Sequence, residues 1–551
     1  MLDPIRNRKS SIKTGIPEVR PINGEACMVE YFFRSKPFGI IASAVILLSA
    51  LSLAGCGGNK RCVPGGSGES EASPYVICTA AGLAALADCV NAGTESSGRY
   101  YQLGNNIDLS TYGAGYNGGK GWKPIGNDTN EFRGHFDGNG KTISNLYIDN
   151  ISDVSIFYTG LFGYIVGGEV KNLEIYGAYI TGFGIVGGVT GSIHSGRLAG
   201  CRITGEIKGD GLPGVESTGG VAGSVISSAV TDCYAAGEVS GNEYVGGVAG
   251  IVYLSSIVSN SYATGKVSGG YYVGGVAGAV YDRGFVADSY ATGEVVGNYH
   301  VGGVAGNVDT DSVVVDSYAT GGVKGLNYVG GVAGNVDTDS IVANSYATGE
   351  VSGGDYIGGV VGRMLNNSIL TNSYATIKVS GYEYVGGVTG NVDTDSIVTN
   401  SYATGEVSGY EYVGGVAGAV DSSSSVMNCA ALNLIIKRNV LSVETTFGRV
   451  AGINDGGVLD GNVAFSGMIP GVGIAFGAGT ATDEDGEPID ATTAKTQTTY
   501  SGAPRNWAFG DDDANPWKWG GDVNANYPLP VLYWQTDAQI SALPEPTHLT
   551  Q

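Results

Sequence analysis

Cationic side chains are scarce in this chain. Its 551 residues include 29 Lys and Arg against 52 Asp and Glu, which gives a formal net charge of −23. Nucleic acids and anionic lipids need clustered Lys and Arg on the protein that binds them. The composition therefore excludes nucleic acid as a partner and favours metal cations or neutral glycans.

Motifs of common enzyme classes are also missing. The chain has four histidines (His135, His194, His300 and His548), and none precedes Glu, so the H-E-x-x-H motif of zinc peptidases is absent. It has no phosphate-binding G-x-x-x-x-G-K-[ST] run, and no pairing of a nucleophile with a base stands out. Glycine is abundant, with 94 residues, but it does not follow the G-X-Y period of collagen.

What the chain does have is an internal repeat. Y-V-G-G-V-A-G and its variants recur every 28 residues, with the second glycine at Gly247, Gly275, Gly303, Gly331, Gly359, Gly387 and Gly415. A fixed period of this length is typical of a solenoid, in which each unit buries its apolar face only against its neighbours. The unit consists of short apolar or alternating stretches separated by Gly, Asn, Asp and Ser, without helical spacing. We predict an all-β, right-handed parallel β-helix (β-solenoid) of about 28-residue coils.

Changes in composition divide the chain into six segments. We predict an N-terminal extension with a signal peptide over 1–55, a flexible tether over 56–74, an N-terminal cap with a short helix over 75–99, irregular coils over 100–240, regular repeats over 241–465 and a Trp-rich C-terminal cap over 466–551. The cap helix is expected over residues 80–90, behind Thr79 as N-cap. An open β-helix end exposes apolar core and free strand edges, so it needs a cover. The alternative for the Trp-rich segment is a sugar-binding platform.

The N-terminal region has the organisation of a signal peptide. An apolar stretch over 37–55 follows Arg34 and Lys36. It ends in Leu-Ala-Gly-Cys at residues 53–56, which resembles the bacterial lipobox. The resemblance implies cleavage before Cys56 and attachment of lipid to its thiol, and Gly57 favours the outer membrane of a Gram-negative cell. A transmembrane helix is the alternative, although the apolar run is short for one. Met28 is the expected start of translation.

Several motifs in the mature chain occur in a characteristic order. W-x-P-I-G begins at Trp122, F-x-G-x-F-D-G-N-G begins at Phe132, and the G-G-V-A-G and S-Y-A-T-G repeats follow. This order, over about residues 75–465, resembles bacterial surface proteins that carry the GLUG motif. The resemblance implies adhesion or surface structure. GLUG repeats also occur beside the protease domain of some secreted IgA-cleaving metallopeptidases, but this chain lacks the H-E-x-x-H motif that such activity requires.

Stacked coils place equivalent side chains beside one another. In residues 397–403 we expect the Ile, Thr, Ser and Ala side chains to point inward and the Val, Asn and Tyr side chains to point outward. One outward row is then Tyr234, Tyr262, Tyr290, Tyr318, Tyr346, Tyr374 and Tyr402, and a second is Tyr244, Tyr272, His300, Tyr328, Tyr356, Tyr384 and Tyr412. Such rows stabilise a sheet face, and they also offer a glycan-binding or contact surface.

Acidic turns provide a candidate cation site. Asn-Val-Asp-Thr-Asp-Ser occurs three times and places carboxylates at Asp309, Asp311, Asp337, Asp339, Asp393 and Asp395. Like charges opposite one another on adjacent coils destabilise a sheet, and Ca²⁺ with its oxygen ligands would relieve this. The alternative is a solvated acidic turn.

Four cysteines are candidates for disulfides. Cys201 and Cys233 take equivalent coil positions, so their Cα atoms are expected about 4.8 Å apart, within disulfide range. A buried pair of free thiols is the alternative. Cys78 and Cys89 are placed to link the cap helix to the preceding strand. An exported protein experiences oxidising conditions.

Together these features predict an outer-membrane lipoprotein, exposed at the cell surface, that acts as an adhesin or structural rod and not as an enzyme. Its expected partners are the membrane, through Cys56, and glycans or other surface proteins. One alternative is a β-helical polysaccharide lyase or glycosidase with a site in coils 100–240. Another is a cation-binding spacer.

Overall fold

Seven nearly identical coils form the middle of the protein. This computed structural model describes residues 66–94, 96–211, 214, 216–438, 446–472, 475–512 and 514–550. One coil consists of five short strands, which are Asn327–Gly330, Ala333–Val336, Ile341–Ala343, Tyr346–Ala347 and Val351–Ser352. The same five strands recur in coils that begin at Glu243, Tyr271, Tyr299, Asn327, Asp355, Glu383 and Glu411.

Equivalent strands of successive coils pair in parallel and in register. Val329 lies opposite Ile357, and Ala333 lies opposite Val361. Two sides of the resulting rod are continuous sheets of eleven strands each, and the remaining strands of the coils join a third, 35-stranded sheet. The predicted parallel β-solenoid is confirmed.

Less regular strands precede these coils. Strand Tyr75–Ile77 leads into helix Ala80–Asn91, and the Thr79 side chain accepts a hydrogen bond of 3.0 Å from the amide of Gly82, so the predicted cap helix is confirmed. The following strands are Tyr100–Leu103, Ile107–Asp108, His135–Ser144, Tyr147–Asn150, Tyr158–Thr159, Phe162–Val166, Glu169–Gly182, Ile185–Gly187, Thr190–His194, Arg197–Ala199, Arg202–Gly209, Ser217–Gly219, Ala222–Ile226, Ala229–Thr231 and Tyr234–Ser240. Short 3-10 helices occupy Ser110–Tyr112 and Asn117–Gly119.

A last coil and a mixed segment follow the regular repeats. The coil consists of Phe447–Gly448, Ala451–Asp455, Val458–Asp460, Val463–Phe465 and Ile469–Pro470, and strand Glu487–Ile489 pairs with its Val463–Phe465. Beyond it lie strands Phe509–Asp512, Asn515–Trp519 and Pro530–Leu532, the 3-10 helix Gly520–Asp522, and helices Ala491–Ala494, Thr498–Ser501, Asp537–Ser541 and Thr547–Thr550.

The interior of each coil is narrow and is filled mainly by valine. In the coil that begins at Tyr299, the side chains of Val301, Val304, Val308 and Val314 are fully buried. A Cβ atom on Gly303 would lie 2.1 Å from the carbonyl oxygen of Gly331 in the next coil. The repeated glycine is therefore required by the close approach of two backbones.

The inward and outward faces differ in part from our prediction. In residues 397–403, Val398 is fully buried and Ile397 is only half-buried, so the expected orientation of these two side chains was wrong. Asn400 has a φ of 51°, which breaks the two-residue alternation of an extended strand. Beyond this break the prediction holds: Ser401 and Ala403 point inward.

Candidate functional site

The first row of tyrosines forms a continuous stack along one side of the rod. We call Tyr234, Tyr262, Tyr290, Tyr318, Tyr346, Tyr374 and Tyr402 the tyrosine ladder. Neighbouring ring centroids lie 4.6 to 5.1 Å apart. From Tyr262 onward the planes of neighbouring rings are inclined by at most 10°. Because the faces of the rings contact one another, the ladder presents ring edges and hydroxyl groups outward.

The C-terminal segment (residues 504–550) lies across one half of this ladder. The ring of Trp534 packs against Tyr318 and Tyr346, at centroid distances of 6.0 and 5.7 Å. Trp517 packs against Tyr374 and Tyr402, at 6.4 and 6.1 Å. The Trp-rich segment therefore covers the side of the solenoid. The end of the solenoid is closed instead by residues 484–489, which bond to the last coil.

Polar contacts hold the same segment in place. The Tyr374 hydroxyl donates to Oε1 of Gln535 at 3.0 Å. The Tyr402 hydroxyl donates to the carbonyl oxygen of Pro530 at 2.7 Å. Burial increases along the ladder toward the C-terminus. Tyr346, Tyr374 and Tyr402 are at most 2% exposed, whereas Tyr318, at the edge of the cover, and the three N-terminal members are half-buried.

The second aromatic row has an unusual backbone. Tyr244, Tyr272, His300, Tyr328, Tyr356, Tyr384 and Tyr412 all have a φ between 48° and 61°. This left-handed conformation costs a bulky residue roughly 1–2 kcal/mol, and ring stacking at centroid distances of 4.6 to 5.1 Å offsets part of that cost. Arg363, which the sequence did not single out, lies 5.7 and 5.2 Å from the ring centroids of Tyr328 and Tyr356. Burial, together with the charge of Arg363, lowers the pKa of His300 to about 4.

The acidic turns at Asp309 and Asp337 lie on adjacent coils, and the coil that follows them supplies hydrogen-bond donors to the carboxylates on both of its sides. Asn366 donates to Oδ1 of Asp337 at 2.7 Å, and Asn367 donates to Asp339. Arg363 donates to Oδ2 of Asp393 at 3.1 Å. Within the described ranges, no group of three or more His, Cys, Asp and Glu side chains has a geometry suited to a metal ion. Calcium at Asp309, Asp311, Asp337, Asp339, Asp393 and Asp395 stays a prediction.

A further row of carboxylates was not predicted. Asp355, Glu383 and Glu411 lie in register on three successive coils. Partial burial and the charges of its two neighbours raise the pKa of Glu383. The available sequence signal was the change at this position of the repeat from Tyr271, Tyr299 and Asn327 to three successive acidic residues.

Two groups of titratable side chains lie in or beside the irregular coils. Glu71, His135, Asp137 and Lys171 line a small groove near the N-terminal cap, where Lys171 contacts Glu71 at 2.5 Å. Separately, burial raises the pKa of Glu216 to about 7, although its carboxylate accepts hydrogen bonds from the amides of Asn242 and Gly211. Neither group places a nucleophile against a base.

The cysteines divide into bonded and free residues. Cys78 and Cys89 are each disulfide-bonded, and their bond to one another stays a prediction. Cys201 and Cys233 stack on adjacent coils as expected, but both are free, buried thiols. The predicted disulfide between them is not formed. Instead, Sγ of Cys233 donates to the carbonyl oxygen of Thr231 at 3.2 Å, as the hydroxyl of Ser345 does to Ala343 in a later coil.

The predicted lipidation site at Cys56 lies outside the residues that the structure describes. In the part of the chain that it does describe, no helix is long and apolar enough to span a membrane.

Known proteins resemble parts of this chain. A protein described as a Gly-rich membrane protein in Evansella cellulosilytica is 42% identical over 132 residues, which is 23% of this chain and 14% of that protein. Halomucin of Haloquadratum walsbyi is 35% identical over 146 residues, 26% of this chain and 2% of that protein. The chain thus matches only a small part of either relative.

A solved structure described as an immunoglobulin A1 protease from Bacteroides ovatus covers 85% of this chain and 95% of its own, with 16% identity and a TM-score of 0.29. The GLUG motif model matches residues 241–268, 325–352 and 381–408, each of which is one regular coil of the solenoid. The chain therefore carries the GLUG motif in its repeats, as the sequence resemblance indicated.

Proposed function

We propose that this chain is a structural rod of the cell surface that acts by adhesion. The observation that carries the proposal is the repetition of one aromatic surface along the regular coils, half of it uncovered. Tyr234, Tyr262 and Tyr290 present the same ring edges and hydroxyls at a fixed spacing. A repeated surface lets many weak contacts sum to a strong attachment when one ligand engages several of them. Glycans or other surface proteins are the proposed ligands.

Two further points support a surface location. One relative is named as a membrane protein and another as halomucin, so membrane or mucin-like contexts are compatible with these repeats. The lipobox-like segment that ends at Cys56 would supply the anchor. The proposed site is the outer membrane of a Gram-negative cell. Metabolic labelling with a fatty-acid analogue should tag the wild-type chain and not the Cys56→Ala variant. Labelling of the variant would show that Cys56 is not the lipidated residue.

The adhesive role is tested by shortening the rod. Each coil contacts mainly its neighbours, so deletion of one, two or three coils should leave a folded protein. Attachment of cells that display these variants should fall gradually with the number of coils removed. An attachment that is lost at once with the first coil, in a protein with unchanged circular dichroism, would contradict summed weak contacts.

An enzyme remains the competing function, because the groove around His135 and Lys171 lies in the irregular coils. Purified chain should release no new reducing ends from bacterial polysaccharides. Release of sugar that is abolished by Lys171→Ala would replace adhesion with catalysis.

A further inference from the structure

Two tryptophans of the C-terminal segment occupy the same site on the solenoid, three coils apart. Nε1 of Trp534 donates to the carbonyl oxygen of Asn344 at 3.2 Å, and Nε1 of Trp507 donates to that of Asn428 at 2.9 Å. Both asparagines stand at the same position of the repeat and have left-handed backbones, with φ of 48° and 55°. Each indole also packs on the tyrosine of the preceding coil, which is Tyr318 for Trp534 and Tyr402 for Trp507.

Repetition generates this site again toward the N-terminus. The ring centroids of Tyr318 and Tyr346, the pair that holds Trp534, lie 4.9 Å apart. The three preceding pairs have nearly the same spacing: 4.6 Å for Tyr234 and Tyr262, 4.6 Å for Tyr262 and Tyr290, and 4.8 Å for Tyr290 and Tyr318. The residue equivalent to Asn344 is Asn260, Asp288 or Asp316, again with a left-handed backbone. The ring contacts of the described C-terminal segment do not reach Tyr234, Tyr262 or Tyr290, and these tyrosines are only partly buried.

The covered and uncovered sites differ in charge. The position of Asn344 in the repeat is Asn344, Asn372, Asn400 and Asn428 in the coils under the C-terminal segment. The side-chain amides of the first three are linked by hydrogen bonds from coil to coil. In the four preceding coils it is Asp232, Asn260, Asp288 and Asp316. Neutral amides thus lie beneath the chain's own segment, whereas carboxylates flank the uncovered sites. A ligand that carries a cation beside an indole would complement the uncovered part better than the segment itself does.

We propose that the uncovered part of the tyrosine ladder, Tyr234 to Tyr290, is a docking site for an extended segment of a partner protein that presents tryptophan together with lysine or arginine. The indole lies across two neighbouring tyrosine edges and donates its N–H to the backbone carbonyl at position 260 or 288. The cation lies beside the exposed carboxylate of Asp288. The site continues directly from the intramolecular contact with Trp534, so its geometry is already realised within the same chain.

The test uses the full-length chain and a fluorescein-labelled peptide of residues 528–541 that carries Asp537→Lys. Fluorescence anisotropy should show saturable binding. The same peptide with Trp534→Ala should bind about tenfold or more weakly, because an indole at the centre of a contact contributes most of its affinity. Tyr262→Ser in the chain should weaken binding about three- to tenfold, the range expected for one aromatic pair.

Two chain variants provide controls. Tyr382→Ser removes a tyrosine that is 51% exposed and lies outside the ladder, and it should bind as the wild type does. The variant Asp288→Asn introduces a residue that already stands in other coils, so it should fold. It should abolish the preference for the Lys-bearing peptide over the parent peptide, which we expect to be about twofold or more.

Several results would overturn the docking site. These are no binding at millimolar peptide, equal binding of the Trp534→Ala peptide, or an equal loss in Tyr262→Ser and Tyr382→Ser. Binding of an oligosaccharide that depends on Tyr262, without binding of the peptide, would identify carbohydrate as the occupant instead. None of these outcomes depends on cell attachment, so adhesion and peptide docking succeed or fail separately.

Discussion

The hydroxyl oxygens of Tyr402 and Tyr527 lie 2.9 Å apart, and both side chains are fully buried. Residue 402 belongs to a regular coil, and residue 527 belongs to the segment that crosses the outside of that coil. The contact joins parts of the chain that are 125 residues apart. The outward-facing side chain of this coil is therefore buried beneath the C-terminal segment.

Tyr402→Phe should therefore loosen the C-terminal segment. The substitution removes the hydrogen bond to Pro530 and leaves the Tyr527 hydroxyl buried without this partner, at a cost of about 1–3 kcal/mol. Hydrogen exchange of residues 515–541 should become faster. Tyr234→Phe is the matched control, since the hydroxyl of Tyr234 bonds to Thr264 at the surface and its loss should change stability by less than about 0.5 kcal/mol. Equal protection in both variants would contradict this role of Tyr402.

Gly303→Ala should disrupt the stacking of two coils. Its new methyl group would lie 2.1 Å from the carbonyl oxygen of Gly331, so the backbones must separate. We expect a loss of about 2–4 kcal/mol or local unfolding, seen as a lower denaturation midpoint. At Gly322 a Cβ atom would be 3.7 Å from the oxygen of Glu350, an ordinary contact, and Gly322→Ala should be nearly neutral. Similar midpoints for the two variants would show that the coils tolerate the separation.

Glu216 should make stability depend on pH. Burial raises its pKa to about 7, above the value of 4.5 expected in the unfolded chain. The stabilisation from its protonated form is then complete below about pH 4.5 and is lost as the pH rises through about 7. The expected loss is about 1–3 kcal/mol. Urea denaturation between pH 4.5 and 8 measures the free energy of unfolding. It should fall with rising pH in the wild type and should fall less steeply in Glu216→Gln.

The exposed Glu206 provides the reference for that experiment. Glu206→Gln should retain the pH dependence of the wild type. If Glu216→Gln and Glu206→Gln follow the same curve, another group titrates in this range.

Deletion of residues 302–357 should preserve the contact with Trp534. The deletion removes two coils and joins Val301 to Gly358 in register. Trp534 would then lie over Tyr262 and Tyr290, which repeat the spacing of the pair it leaves. The shortened protein should show the tryptophan emission maximum of the wild type. A red-shifted maximum would mean that the upstream coils do not reproduce the site.

Periodicity made most of the fold predictable. The 28-residue period fixes the coil, and the helix behind Thr79 follows from its N-cap. The orientation of Ile397 and Val398 was not predictable from alternation alone, because the left-handed residue at Asn400 interrupts it. Asparagine adopts the left-handed conformation more readily than most residues. An asparagine at a constant position of a repeat can therefore interrupt the alternation by which side chains are assigned to faces.

The lateral position of the C-terminal segment was harder to predict. Its tryptophans have no period, and their partners lie up to 190 residues away in the chain. The change from Asp288 and Asp316 to Asn344 and Asn372 was a signal in the sequence, since a position that becomes covered favours a neutral side chain. A change of charge within an otherwise constant repeat can thus mark where a solenoid is covered.

The segment that spans several coils also has a mechanical consequence. Backbone hydrogen bonds between coils run along the rod, so tension between its ends would detach terminal coils one after another. Trp534 contacts the coils of Tyr318 and Tyr346, and Trp507 contacts the coil of Tyr402 and bonds to Asn428 of the next one. A pull at the C-terminus would first have to shear this brace from the side of the rod. The C-terminal segment therefore raises the force needed to unfold the coils that it contacts. Under tension, the coils upstream of Tyr318 should unfold first.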